Sequence, residues 1–175
     1  MKRLSAADVA TVGMMIAVIE VYKLCMQGLP NIEMTSFLII LFTLRFGHLA
    51  LYTIPAFILI EGLLYGFGLW WVMYLYAWPL LALIARIFSR ADSAFFWACV
   101  SGVFGLLFGL LCAVPYFFIG FAGGGMVQGL QQMFAWWVAG IPYDLLHGAG
   151  NFALMLALYR PVSNLLRRMP GIIGQ

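Results

Sequence analysis

The residues best equipped for chemistry lie in one stretch, Trp136-Trp137-Val138-Ala139-Gly140-Ile141-Pro142-Tyr143-Asp144-Leu145-Leu146-His147-Gly148-Ala149-Gly150-Asn151. On a helix of about 3.6 residues per turn, Gly140, Asp144, His147, Gly148 and Asn151 share a face. Asp144 and His147 stand one turn apart. That spacing suits an acid–base couple in an intramembrane enzyme, or two ligands of a metal. Two ligands do not complete a metal site, and no further His or Cys stands at a useful spacing, so neither a metal nor another cofactor is expected. A carboxylate among apolar residues is costly and needs a partner, and His147 is the natural one. The plainer reading is a buried polar network that locks a helix, loosened at Pro142, to its neighbours.

A second group gathers Glu20, Lys23, Asn31, Glu33 and Glu61 with the aromatic residues Tyr65, Trp70, Trp71, Tyr74, Trp136, Trp137 and Tyr143. Trp70 and Trp71 suit an interfacial aromatic belt. Tyr74 and Tyr143 should sit deeper. Polar groups and aromatic faces in one region suit a pocket for a small organic molecule. Asn31, Glu33, Glu61, Tyr65, Tyr74, Trp136, Tyr143, Asp144, His147 and Asn151 are therefore the candidate ligand-binding residues. Within Leu29-Pro30-Asn31-Ile32-Glu33, the proline ends one helix and suits the start of the next. Asn31 can cap that next helix, and Glu33 complements its positive end.

The elements that position these groups follow from composition. Of 175 residues, 65% are hydrophobic and 9% charged, and the mean hydropathy is +1.04. Soluble domains carry about 25% charged residues. So little charge cannot clothe a surface in water, and lipid is the solvent that suits the chain. Backbone groups in lipid must be satisfied internally, by helices or closed barrels. Barrel strands alternate apolar and polar residues, whereas runs such as Ala98–Tyr116 are continuously apolar. An all-α integral membrane protein is expected, forming a single domain over residues 1–175 and passing several times through the cell membrane.

Spans of about 17–25 apolar residues are read at Ala6–Met26, Ile32–Phe46, Leu49–Gly66, Leu69–Phe88, Ala94–Phe118 and Met133–Tyr159, six in all. Gly120–Gly125 reads as a glycine-rich loop, Pro55 as a kink, and Val162–Arg168 as an amphipathic tail. With six spans, Lys2, Arg3, Arg45, Arg86, Arg90, Arg160, Arg167 and Arg168 fall on one side and only Lys23 on the other. The positive-inside rule makes the first side, with both termini, cytoplasmic. Met1-Lys2-Arg3 before an apolar run resembles a signal peptide. The run is too long, contains Glu20 and Lys23, and lacks a small-x-small cleavage site. Cys25, Cys99 and Cys112 imply no disulfide framework.

Small residues at Ala6, Ala10, Gly13 and Ala17 share one face of the first helix. Such faces let helix backbones approach closely. They serve either packing inside the bundle or docking of another membrane subunit. Gly102, Gly105, Gly109 and Ala113 form a similar series, assigned to internal packing. Phosphate-binding loops and hydrolase motifs are absent. A net charge of +3 says little about nucleic acid, and no nucleic-acid partner is expected.

These features together resemble the substrate-binding S component of an energy-coupling factor (ECF) vitamin transporter. The resemblance rests on size and six-helix topology, on the Ala6/Ala10 and Gly13/Ala17 face, on Pro30-Asn31-Ile32-Glu33 followed by an apolar run and Phe46-Gly47, and on Ala139–Asn151. It implies that the chain captures a vitamin with high affinity at the outer face. It also implies that Ala6, Ala10, Gly13 and Ala17 dock on a coupling membrane subunit, and that two cytoplasmic ATPase subunits hydrolyse ATP, so the chain itself is not an enzyme. The aromatic count favours cobalamin first and riboflavin or another flavin-like ligand next. A structural membrane subunit without a ligand is the remaining alternative.

Overall fold

A computed structural model of the chain describes residues 4–168; Lys2 and Arg3, counted in the charge asymmetry above, lie outside them. Among the described residues every regular element is helical: α1 (Ala6–Met26), α2 (Thr35–Phe46), a 3-10 turn (Gly47–Leu49), α3 (Ala50–Tyr65), α4 (Leu69–Ile87), α5 (Ala94–Leu106) and α6 (Phe108–Arg167). Four helical runs are long and apolar enough to cross a membrane: Ala6–Met26, Thr35–Tyr65, Leu69–Ile87 and Ala94–Arg167.

Two of these runs fold back on themselves, and a glycine makes each reversal. Gly47 ends α2 at φ 53°, ψ −110°. Within α6 the backbone leaves helical geometry at Gly124 and at Gly125, the latter at φ 78°. A residue with a Cβ rarely adopts positive φ, so each turn falls where glycine permits it. The expected loop at Gly120–Gly125 is therefore corrected. Helix persists to residue 123 and resumes at 126, because the reversal needs only the two glycines that leave helical geometry.

The halves of the last run pack as a hairpin. A Cβ on Gly120 would lie 2.9 Å from Gly129 Cα, and one on Gly105 would lie 2.8 Å from Gly148 Cα. Tyr116 stacks on Trp136 between those levels, with ring centroids 3.9 Å apart. As numbers fall along one arm they rise along the other, which is antiparallel pairing. Gly102, Gly105 and Gly109 face the returning arm and Ala113 is buried, as the sequence assigns them to internal packing: where the side chain is only a hydrogen, backbones approach closely.

Contacts also set the remaining directions. Thr53 reaches Met15 and Lys23 pairs with Glu61, so α1 and α3 run parallel. Glu33 meets His147, and Arg45 donates to Ser163, so α2 runs parallel to the second arm of α6. Ser5 caps α1 reciprocally with Asp8, each accepting from the other's backbone N–H. α2 is the centre of the bundle, with ten of its twelve residues buried. Phe37, Ile39, Ile40 and Leu41 pack there within a core that includes Trp78, Trp97, Met155 and Tyr159.

The opposite reading of the α1 small-residue face, internal packing, finds no partner among the described residues: Ala6, Ala10, Gly13 and Ala17 are all exposed, and a Cβ on Gly13 would meet nothing within 4 Å. The expected amphipathic tail is a continuation of α6 to Arg167, anchored by buried Ser163.

Candidate functional site

The parallel and antiparallel pairs give the bundle two unlike ends. At one, Asp92, in the turn between α4 and α5, gathers cations. Arg167 donates to its Oδ2 at 2.8 Å and Tyr159 to its Oδ1 at 3.0 Å. Arg160 donates to its backbone carbonyl at 2.8 Å, and Arg45 lies 3.9 Å from Oδ1. The hydrogen bond from Arg167 leads in holding the Asp92 carboxyl below its ordinary value.

At the other end, a cavity of about 260 Å³ opens among the end of α1, the α1–α2 loop, α4 and the start and middle of α6. Lys23, Asn31, Glu33, Tyr74, Phe108 and His147 are among its walls. Asn31 has φ 54°, a left-handed conformation that asparagine tolerates better than most residues. That geometry corrects its expected role. The residue before α2 is Met34, which makes no side-chain cap, because the chain is still turning at Asn31. The turn brings Asn31 and Glu33 to the cavity.

His147 is 3% exposed and packs edge-on against Phe108 at 4.9 Å between centroids. Its Nε2 lies 3.4 Å from Glu33 Oε1, but neither atom makes a hydrogen bond among the described residues. Lys23 pairs with Glu61. Its ammonium lies 5.4, 5.5 and 5.8 Å from the ring centroids of Tyr74, Phe57 and Tyr65. Cations within about 6 Å of such rings are attracted by their negative faces. Glu20, expected beside Lys23, lies within electrostatic range of both Lys23 and Glu61.

The structure thus brings Asn31, Glu33, Tyr74 and His147 together at the cavity, and sets Glu61 and Tyr65 beside it through Lys23. It turns Asp144 and Asn151 elsewhere. Asp144 is 6% exposed and accepts from Gly109 N–H at 2.9 Å. Among the described residues Asp144 and His147 share no hydrogen bond: Gly109 brings a backbone donor directly against the carboxylate, and His147 stays within electrostatic range of it. Asn151 donates to Ser101 O at 3.4 Å. Trp136 and Tyr143 are largely exposed and stand apart from the cavity walls.

Phe108, Met26 and Gln27 also line the cavity and escaped the sequence reading. Phe108 lies within an unbroken apolar run, and only the register of the α5–α6 hairpin sets it beside His147. Larger hollows have almost wholly apolar walls: about 420 Å³ beside Leu80, Val103 and Leu107, and about 470 Å³ beside Leu130, Phe134 and Trp137. Lipid tails satisfy such surfaces. Among the described residues no three His, Cys, Asp or Glu gather as a metal site.

Models of known protein families give no match to the chain, and searches of characterised proteins and of solved structures give none either.

Proposed function

We propose that the chain is a six-span S component of an ECF-type importer, with both termini cytoplasmic, that captures a vitamin-class molecule at its outer end. One observation carries this reading: a polar and aromatic cavity lies at the end opposite the arginines, with buried polar atoms at its wall that lack hydrogen-bond partners. Buried polar atoms normally find partners, so such atoms beside open space suit a ligand. The exposed face Ala6/Ala10/Gly13/Ala17 supplies a contact for a coupling subunit, and two ATPase subunits would supply the energy. The reversals at Gly47 and Gly124–Gly125 support six spans within four apolar runs.

The cavity volume bears on the ligand. Small-molecule sites measure about 300–1,000 Å³, and about 260 Å³ favours a compact vitamin. Cobalamin would require this end to open, and a flavin would require a smaller opening. The acid–base alternative has little geometric support, since Asp144 and His147 face different partners.

The test is to purify the protein from cells grown in rich medium, denature it, and identify the released small molecule by absorbance and mass spectrometry. A vitamin in near-stoichiometric amount is expected. A preparation that carries none, and binds none when offered a vitamin panel, would overturn the proposal.

A further inference from the structure

Resting on the reading of this cavity as a ligand site, we infer that its ligand is a compact cation, an amine or positively charged nitrogen heterocycle, held by Glu33 and His147 against the faces of Phe108 and Tyr74. The first argument is charge. Three carboxyl groups, Glu20, Glu33 and Glu61, stand around this end of the bundle, and among the described residues Lys23 is the one lysine or arginine paired there. Lys23 is already committed: its ammonium pairs with Glu61 and sits among the rings of Phe57, Tyr65 and Tyr74. Among the described residues, Glu33 is left with no lysine or arginine in ion-pair range.

The second argument is the state of the wall. Glu33 Oε1 and His147 Nε2 lie 3.4 Å apart without a hydrogen bond, and the His147 side chain is 4% exposed. A carboxylate oxygen only accepts, and a neutral imidazole nitrogen accepts in one of its tautomers. In the tautomer with the proton on Nδ1, Glu33 Oε1 and His147 Nε2 are both acceptors, and a ligand donor placed beside them satisfies either. A ligand N–H⁺ can donate to either atom, and hydrogen bonds to charged groups are the stronger kind.

The third argument is the ring surface. Tyr74 and Phe108 line the cavity, and aromatic faces attract cations. The cage around Lys23 shows that this part of the fold holds an ammonium in that manner. A neutral planar molecule would use the rings but bring no charge to Glu33, whose ion-pair neighbour among the described residues is His147 alone.

The experiment uses the full chain purified in detergent and titrated with thiamine and pyridoxamine as cationic probes, riboflavin as a neutral one and biotin as an anionic one, followed by tryptophan and tyrosine fluorescence. At least one cationic probe is expected to bind. Glu33→Gln should weaken it roughly tenfold or more with the protein still folded. Gln27→Lys, at an exposed position of the wall, should also weaken it, and Gln27→Glu should strengthen it. That pair preserves the test should Glu33→Gln fail to fold. Binding of only the neutral or anionic probe, or tighter cation binding in Gln27→Lys, overturns the cation assignment and leaves the binding role standing. Binding of none of the four, together with no small molecule released on denaturation, overturns both.

Discussion

Asp144 keeps its carboxylate deep in a helix bundle because Gly109 has no Cβ: one built there would lie 2.7–2.8 Å from the Oδ1 and Cγ atoms of Asp144. The acid is therefore a fastener between the arms of the hairpin. Asp144→Asn should be mild, since its amide oxygen can still accept from Gly109 N–H. Asp144→Leu leaves that donor unsatisfied, at a cost of about 1–3 kcal/mol, and should lower the melting temperature visibly in tryptophan fluorescence. Equal loss of function in both variants, with normal folding, would instead favour acid–base chemistry. At the opposite end, Asp92 titrates below its ordinary value through Arg167. A depressed carboxyl contributes stability above its unfolded value of about 3.9, and that contribution is lost as pH falls through the folded value. Wild-type protein should keep its melting temperature down to about pH 4 and lose part of it below. Asp92→Asn should start lower and show a smaller acid loss. Asp144 could be singled out from sequence as an ion within an apolar run. Its partner could not be read there, since Gly109 lies 35 residues away along the chain. Asp92 gave no signal beyond being an acid between arginines.

Two glycine-bearing helix faces illustrate what sequence spacing leaves open at the scale of elements. Both Ala6/Ala10/Gly13/Ala17 and Gly102/Gly105/Gly109/Ala113 put small residues on one face. Only tertiary structure separates them: the second meets the returning arm of α6, and the first is exposed. Opposite outcomes follow. Gly105→Leu places a side chain where a Cβ already lies 2.8 Å from Gly148 backbone atoms. It should separate the hairpin and abolish a folded, monodisperse protein in size-exclusion chromatography. Gly13→Ala meets nothing within 4 Å and should raise stability by up to about 1 kcal/mol through helix propensity alone. Ala10→Trp adds bulk to the same open face. On the proposed importer reading, the isolated chain should fold and bind its ligand as before, while uptake in cells carrying the proposed coupling subunits is lost. Loss of binding in that variant would mean that the face serves the bundle itself.

At the scale of the whole molecule, the polarity of the ends decides how the chain sits in a bilayer. Helical starts and stops were legible wherever glycine, proline or a cap marked them: α1 spans the residues expected, and α4 begins at Leu69 as expected. The boundary near Gly120–Gly125 was less legible, because glycines are tolerated inside a helix when another backbone packs on them, as Gly129 does on Gly120. The cavity was partly legible as a polar cluster, but which members meet depends on helix directions. Those directions place Arg45, Arg160 and Arg167 around Asp92 at one end and Lys23 at the other. Arg86, in the last turn of α4, and Arg90, within the turn that carries Asp92, precede it in the chain. Short basic loops are retained on the cytoplasmic side, and acidic residues such as Asp92 weigh little in that choice. A reporter fused after Arg168 is therefore expected to read cytoplasmic. One inserted between Gly124 and Gly125, where helical geometry is already broken, should read external. Because the chain reverses at Gly47, a cysteine at exposed His48, in a background without the native cysteines, should react with a membrane-impermeant thiol reagent only after permeabilisation. Labelling of that cysteine in intact cells, or an external C-terminus, would reverse the orientation and put the cavity on the cytoplasmic side, where capture from outside the cell is impossible.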